Sequence, residues 1–133
     1  MTDAYAVQPG KSVRSGMSDV KASRASTAGS VTIMEITIEA GPPRHTHANE
    51  DESLYVLAGS VDVECGGEHF EAGRGAFAFL PRGVPHTFSS TGGPATALLI
   101  ATPGGLDDYF AELHGADPER IPEIQRRYGI TRA

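Results

Sequence analysis

Residues 41–59 read Gly41-Pro42-Pro43-Arg44-His45-Thr46-His47-Ala48-Asn49-Glu50-Asp51-Glu52-Ser53-Leu54-Tyr55-Val56-Leu57-Ala58-Gly59. Gly41-Pro42-Pro43 ends any regular element before it. His45 and His47 stand at i and i+2 on a segment leading into a strand. Alternate residues of a strand point to one face. Two imidazoles about 7 Å apart at their Cα atoms can therefore converge on one ion. Glu52 follows, on the same face as Leu54 and Val56, and Gly59 stops the run. A third imidazole, His86, lies on a later strand after Pro81-Arg82-Gly83. Three nitrogens and one carboxylate oxygen form a ligand set for a first-row transition metal.

The rest of the chain reads as short strands between tight turns. Met34, Ile36 and Ile38 alternate with Glu35, Thr37 and Glu39, the period of a half-buried strand. Val61, Val63 and Cys65 alternate with Asp62 and Glu64, and Gly66-Gly67 turns the chain into a return strand over 68–71. Ala76 to Leu80, His86 to Phe88 and Ala95 to Thr102 are further apolar runs between Gly and Pro signals. Turn signals spaced in this way predict an all-β sandwich or barrel. The period changes at the end. Leu106, Phe110 and Leu113 mark one helical face, and Ile121, Ile124 and Tyr128 mark a second short helix after Asp117-Pro118. Both helices are expected to pack outside the sheet. Residues 1–30 are small and polar. They read as a flexible leader or an edge strand, ahead of a barrel over 31–103 and a helical segment over 104–133.

The chain has 133 residues, enough for one domain with a core of its own. Its single cysteine forms no internal bridge, which fits a reducing compartment and gives the expectation of a cytoplasmic protein. No apolar run is long enough for a transmembrane helix. Seventeen acids against eleven bases leave a net charge of −6, which argues against nucleic acid and anionic membrane as partners. Cys65 reads as small core filler, His69 as a surface residue and His114 as the end of the first helix. Tyr55 should point outward. Phe88 shares the inward face of His86 and is expected to line a substrate pocket. Phe77 and Phe79 alternate with Ala76 and Ala78, which leaves open which pair faces inward.

With both histidine segments in view, the sequence resembles the cupin superfamily. The first family motif reads Gly41-PPR-His45-T-His47-ANED-Glu52-SLYVLA-Gly59. The second reads Gly75-AFAFL-Pro81-R-Gly83-VP-His86-TFS-Ser90. The stretch from Gly41 to His45 is shorter than the usual spacing, and Ser90 stands where the family has Asn. The run GPPRHTHANEDESLYVLAGSVDVECGG, with FLPRGVPHTF and TPGGLDDYF, is similar to single-domain, quercetin-dioxygenase-like cupins. That resemblance implies a double-stranded β-helix (jelly-roll) barrel with short C-terminal helices. It implies one divalent metal, whether iron, manganese, nickel, cobalt or zinc, held by His45, His47, Glu52 and His86. It further implies that Glu52 acts catalytically by accepting the proton of an enolic or phenolic small-molecule substrate, and that the chain is a homodimer. Dioxygenases, isomerases, cyclases, sugar binders and storage proteins share the fold, so a non-redox isomerase or cyclase and a binding or sensing module remain as alternatives. A closed structural zinc site is the other use of four such ligands.

Overall fold

The alternation of Thr32–Ile38 is a matter of faces. Thr32, Met34 and Ile38 are buried while Glu35 is exposed, so this strand needs a partner layer on one side only. The computed structural model describes residues 2–133 and supplies that layer. Its strands are β1 (Val20–Ala22), β2 (Thr32–Ile38), β3 (His45–His47), β4 (Asp51–Ala58), β5 (Ser60–Cys65), β6 (Glu68–Gly73), β7 (Phe77–Leu80), β8 (His86–Ser90) and β9 (Ala95–Thr102). Helix α1 (Leu106–Leu113), a 3₁₀ turn (Pro118–Arg120), helix α2 (Ile121–Arg127) and strand β10 (Ile130–Arg132) complete the chain. Among the described residues, no helix is long and apolar enough to cross a membrane.

Two antiparallel five-stranded sheets face each other, in the orders β1-β2-β9-β4-β7 and β10-β3-β8-β5-β6. Two packed sheets with strands crossing between them are the jelly-roll architecture. Leu54 and Val56 of β4, Val61 and Val63 of β5, Leu80 of β7, and Ala97 and Leu99 of β9 fill the space between them. The apolar run of β9 is sorted by size. Ala95, Ala97 and Ala101 face inward beside Leu99, while Leu98 and Ile100 are half-buried on the other face.

The outer face of the first sheet answers the question left by β7. Ala78 and Leu80 are buried, and Phe77 and Phe79 are 60% and 52% exposed. Phe77 pairs with Tyr55, which in turn pairs with Leu98. Tyr55 points outward as expected, at the centre of an aromatic ridge. Cys65 is buried in the core, and its burial raises the thiol pKa. His69 meets Asp62 on the surface at 2.9 Å.

Both ends of the chain join sheets. Strand β1 pairs with β2, and the Asp19 carbonyl accepts the Glu35 N–H. The N-terminal segment thus carries an edge strand of its own domain. Strand β10 pairs with β3, in a tail whose helical periodicity hid it. The helices also differ from expectation. Tyr109, Phe110 and Leu113 of α1 and Gln125 of α2 cover a cavity at the mouth of the barrel rather than only flanking the sheets.

The glycine that opens the first motif has a packing reason. A Cβ on Gly41 would lie 1.3 Å from the Phe88 carbonyl oxygen. The loop between β2 and β3 therefore passes against the backbone of β8, which brings His45 and His47 beside His86.

Candidate metal centre

Three strands deliver the site. His45 and His47 bracket Thr46 on β3, Glu52 sits near the start of β4, and His86 begins β8. His45 and His86 are directly opposite in the β3–β8 register, so their side chains share one face. Ring nitrogens of His45, His47 and His86 all lie within 4.8 Å of one another. Glu52 faces two of them, with Oε2 at 3.3 Å from His47 Nε2 and Oε1 at 3.5 Å from His86 Nε2. His47, Glu52 and His86 are 3%, 3% and 1% exposed, and His45 is half-buried at the cavity side.

The outer ring nitrogens explain the inner ones. His45 Nδ1 is 2.8 Å from the Pro43 carbonyl oxygen, and His86 Nδ1 is 3.2 Å from that of Val84. His47 Nδ1 faces Glu50 Oε1 at 3.3 Å, though not aligned as a hydrogen bond. Each Nδ1 therefore faces an acceptor, which holds the proton of a neutral imidazole on that side. Every Nε2 then turns a lone pair inward. The Nε2 atoms of His45 and His47 are 3.1 Å apart, and the buried His86 Nε2 and Glu52 Oε1 have no hydrogen-bond partner. Buried acceptors crowded together without donors are unfavourable. A divalent cation at their centre converts four opposed lone pairs into four bonds. Imidazole and carboxylate suit first-row ions. The donor set thus fits a metal.

Charge agrees with this reading. Burial lowers the His45 pKa below the ordinary histidine value, and the imidazoles of His86 and His47 push the same way. Burial alone would raise the Glu52 pKa, but the facing His86 and His47 outweigh it and hold the carboxyl below its usual value. The two shifts favour an uncharged imidazole at His45 and an ionised carboxylate at Glu52, the protonation states that metal ligands need.

His45, His47 and Glu52, with His86 buried behind them, form the floor of a cavity of about 420 Å³, within the size range of small-ligand pockets. Its walls are mostly apolar. Phe88 lies there, as its position two residues after His86 suggested, with Ile36, Leu99 and Ile130. Sequence reasoning missed the contributions of α1 and β10, because neither carries a motif. It also missed Glu50, whose signal was an acid three residues after His47.

Glu50 is buried and its carboxylate faces His47 Nδ1, across the ring from the inward Nε2, the position from which such groups orient imidazoles that bind a metal. Glu50→Gln is expected to weaken metal affinity by about 10-fold without loss of fold. Competition against a chromophoric chelator measures this, and an unchanged affinity would show that Glu50 does not orient His47.

Residues 32–101 match the family model described as a cupin domain. Solved structures give the same fold. KdgF from Halomonas sp. is 17% identical with a TM-score of 0.62, covering 79% of this chain and 99% of its own. A cupin-2 domain protein from Shewanella frigidimarina is 19% identical with a TM-score of 0.51, covering 55% of this chain and 71% of its own. The DMSP lyase DddQ from Ruegeria pomeroyi is 25% identical with a TM-score of 0.50, covering 56% of this chain and 39% of its own. No curated protein sequence matches the chain. The family match spans more than half of the residues, taking in β2 to β8, all but the last residue of β9 and all four clustered side chains, and the chain belongs to the cupin domain family.

Proposed function

We propose that this cupin is a metal-dependent enzyme acting on a small enolic or phenolic molecule, with dioxygenation as its reaction. The observation that carries the reading is the cluster of His45, His47, His86 and Glu52, of which His45, His47 and Glu52 lie on the floor of an apolar cavity with His86 buried behind them. A structural ion needs no cavity above it; a catalytic one does. When bound, a divalent transition metal supplies Lewis acidity toward a substrate oxygen and, in its redox-active forms, electron transfer to dioxygen.

The chain's own residues do the rest. Glu52 Oε1, buried and without a hydrogen-bond partner, accepts the proton of the substrate hydroxyl. Burial keeps that carboxylate dry, and the imidazoles around it keep it ionised until the proton arrives. Phe88, Leu99 and Ile36 flank the substrate body, and α1 shields it from water. The likeness of the motif segments to quercetin-dioxygenase-like cupins supports the same chemistry.

One observation favours a second reading. The Tyr109 hydroxyl, a cavity neighbour with Gln125 Nε2 at 3.5 Å, is a second group able to carry a proton. A base and an acid at one substrate would suit non-redox isomerisation or cyclisation. Oxygen uptake decides between them. Iron- or nickel-loaded protein offered flavonols and 1,3-diketones is expected to consume oxygen in step with substrate, and Glu52→Gln is expected to slow turnover by about 100-fold. Product formed at an equal rate without oxygen would overturn the dioxygenase reading in favour of the second.

A further inference from the structure

The cavity lining contains two side chains with a formal charge at neutral pH, Glu52 on its floor and Arg132 at its mouth. Arg132 comes from β10, and the register fixes where it points. Ile130 is opposite His47 and Arg132 is opposite His45. Directly opposed residues in antiparallel strands share a face. Ile130 is accordingly buried and lines the cavity beside His47, and Arg132 projects on the same side beside His45. Thr131, between them, faces away with Thr46.

Arg132 has no ion-pair or hydrogen-bond partner for its guanidinium among the described residues. The other arginines near acids are committed: Arg14 to Asp107 and Asp108, Arg82 to Asp51, and Arg127 to Glu112. An arginine aimed over an apolar cavity, within one strand spacing of a metal-site imidazole, presents a planar fork of donors that matches a carboxylate. Ile36, Leu99, Phe110, Leu113 and the aromatic ring of Phe88 make most of the remaining wall and suit a hydrocarbon or aromatic body, with Thr37, Tyr109 and Gln125 as its uncharged polar members.

We propose that the substrate is a small organic acid with an apolar body, its carboxylate held by Arg132 at the cavity mouth and its hydroxyl directed to Glu52, His45 and His47 on the floor. This rests on the reading that the cavity above the histidine cluster is the substrate site. It adds a substrate class that the metal centre alone does not give. Arg132 is a specificity-determining residue here. It touches the end of the substrate remote from the reacting oxygen and takes no part in proton transfer.

The test is calorimetric titration of zinc-loaded protein with 4-hydroxyphenylacetate and with its neutral isostere 4-hydroxyphenylacetamide. Wild type is expected to bind the acid about 10-fold tighter than the amide, the scale of one charge-assisted contact. Arg132→Gln is expected to bring the two affinities together through loss of acid binding. Its metal content and melting temperature should stay at wild-type values, because Arg132 is exposed and outside the core. Arg132→Lys should retain part of the preference. Equal affinities for acid and amide in wild type, or a preference that survives Arg132→Gln, would overturn the proposal. If both probes then still need bound zinc, the cavity stands as the ligand site and only the acid class falls. If neither probe binds the zinc-loaded protein, or both bind equally well without zinc, the cavity reading falls with it.

Discussion

His86→Ala is expected to lower metal affinity by about a thousandfold, since four ligands together contribute on the order of 10–16 kcal/mol and one of them is removed. The His86 side chain is 1% exposed, so no water-facing rotamer offers a substitute. The effect on folding should be unlike that of an ordinary core truncation. In the metal-free protein the buried His86 Nε2, 3.5 Å from Glu52 Oε1, has no hydrogen-bond partner, and truncation removes that unsatisfied polar atom. That gain offsets part of the cavity cost, so metal-free variant and metal-free wild type should melt within a few degrees of each other. The two proteins should separate only when zinc is added: wild type gains stability in proportion to its affinity, and the variant does not. Thermal melts with and without zinc, together with elemental analysis, read both quantities. A variant that keeps full zinc content, or one whose metal-free form fails to fold, would show that His86 belongs to the core rather than to an ion.

The cluster of three histidines was legible from sequence because its geometry is local. His45 and His47 need only strand period to converge, and His86 needs only a third strand brought alongside. An all-β sandwich or barrel followed from alternation and turn spacing, both of which are short-range signals, and the jelly roll in particular from the resemblance carried by the two motifs. Which face of β7 pointed inward was not legible, since Phe77 and Phe79 are as apolar as a core pair and only the sheet partner decides. The cavity walls were not legible for the same reason. Tyr109, Phe110 and Leu113 read as an ordinary amphipathic face, and nothing local says that this face closes a barrel mouth. Strand β10 was hidden by its length. Three residues carry one alternation, and it took pairing with β3 to place Ile130 and Arg132. The contacts of Arg14 with Asp107 and Asp108 lie farthest beyond local pattern, because 93 and 94 positions separate the partners. Asp107 lies in the first turn of α1, where the helix dipole favours an acid. Its burial and partners give it a larger role.

Asp107→Ala is accordingly expected to destabilise the protein by about 3 kcal/mol at neutral pH, the low end of the cost of breaking a buried charge pair. Asp107 is 1% exposed. Its Oδ1 accepts from the Thr32 hydroxyl at 2.6 Å and from the Arg24 N–H at 3.1 Å, and its Oδ2 accepts from Arg14 Nη1 at 2.6 Å. One carboxylate thus joins the N-terminal segment, β2 and the start of α1. Truncation strands the Arg24 N–H, while Arg14 keeps Asp108 at 2.5 Å, which is why the low end applies. The pH dependence identifies the cause. Burial works to raise the Asp107 pKa, but Thr32, Arg14 and the Arg24 N–H outweigh it and hold the carboxyl below its ordinary value. The unfolded chain therefore takes up this proton at a higher pH than the folded one. The stabilisation is complete above about pH 4 and is lost as the pH falls through the lower folded-state value. Urea unfolding should show wild type and Asp107→Ala far apart at pH 7 and converging in strong acid. Because α1 carries Tyr109, Phe110 and Leu113 over the cavity, amide exchange in residues 106–113 should also accelerate in the variant at neutral pH. A stability gap that stays constant down to strong acid would mean that the loss comes from packing, and that the charge of Asp107 does not fasten the helix.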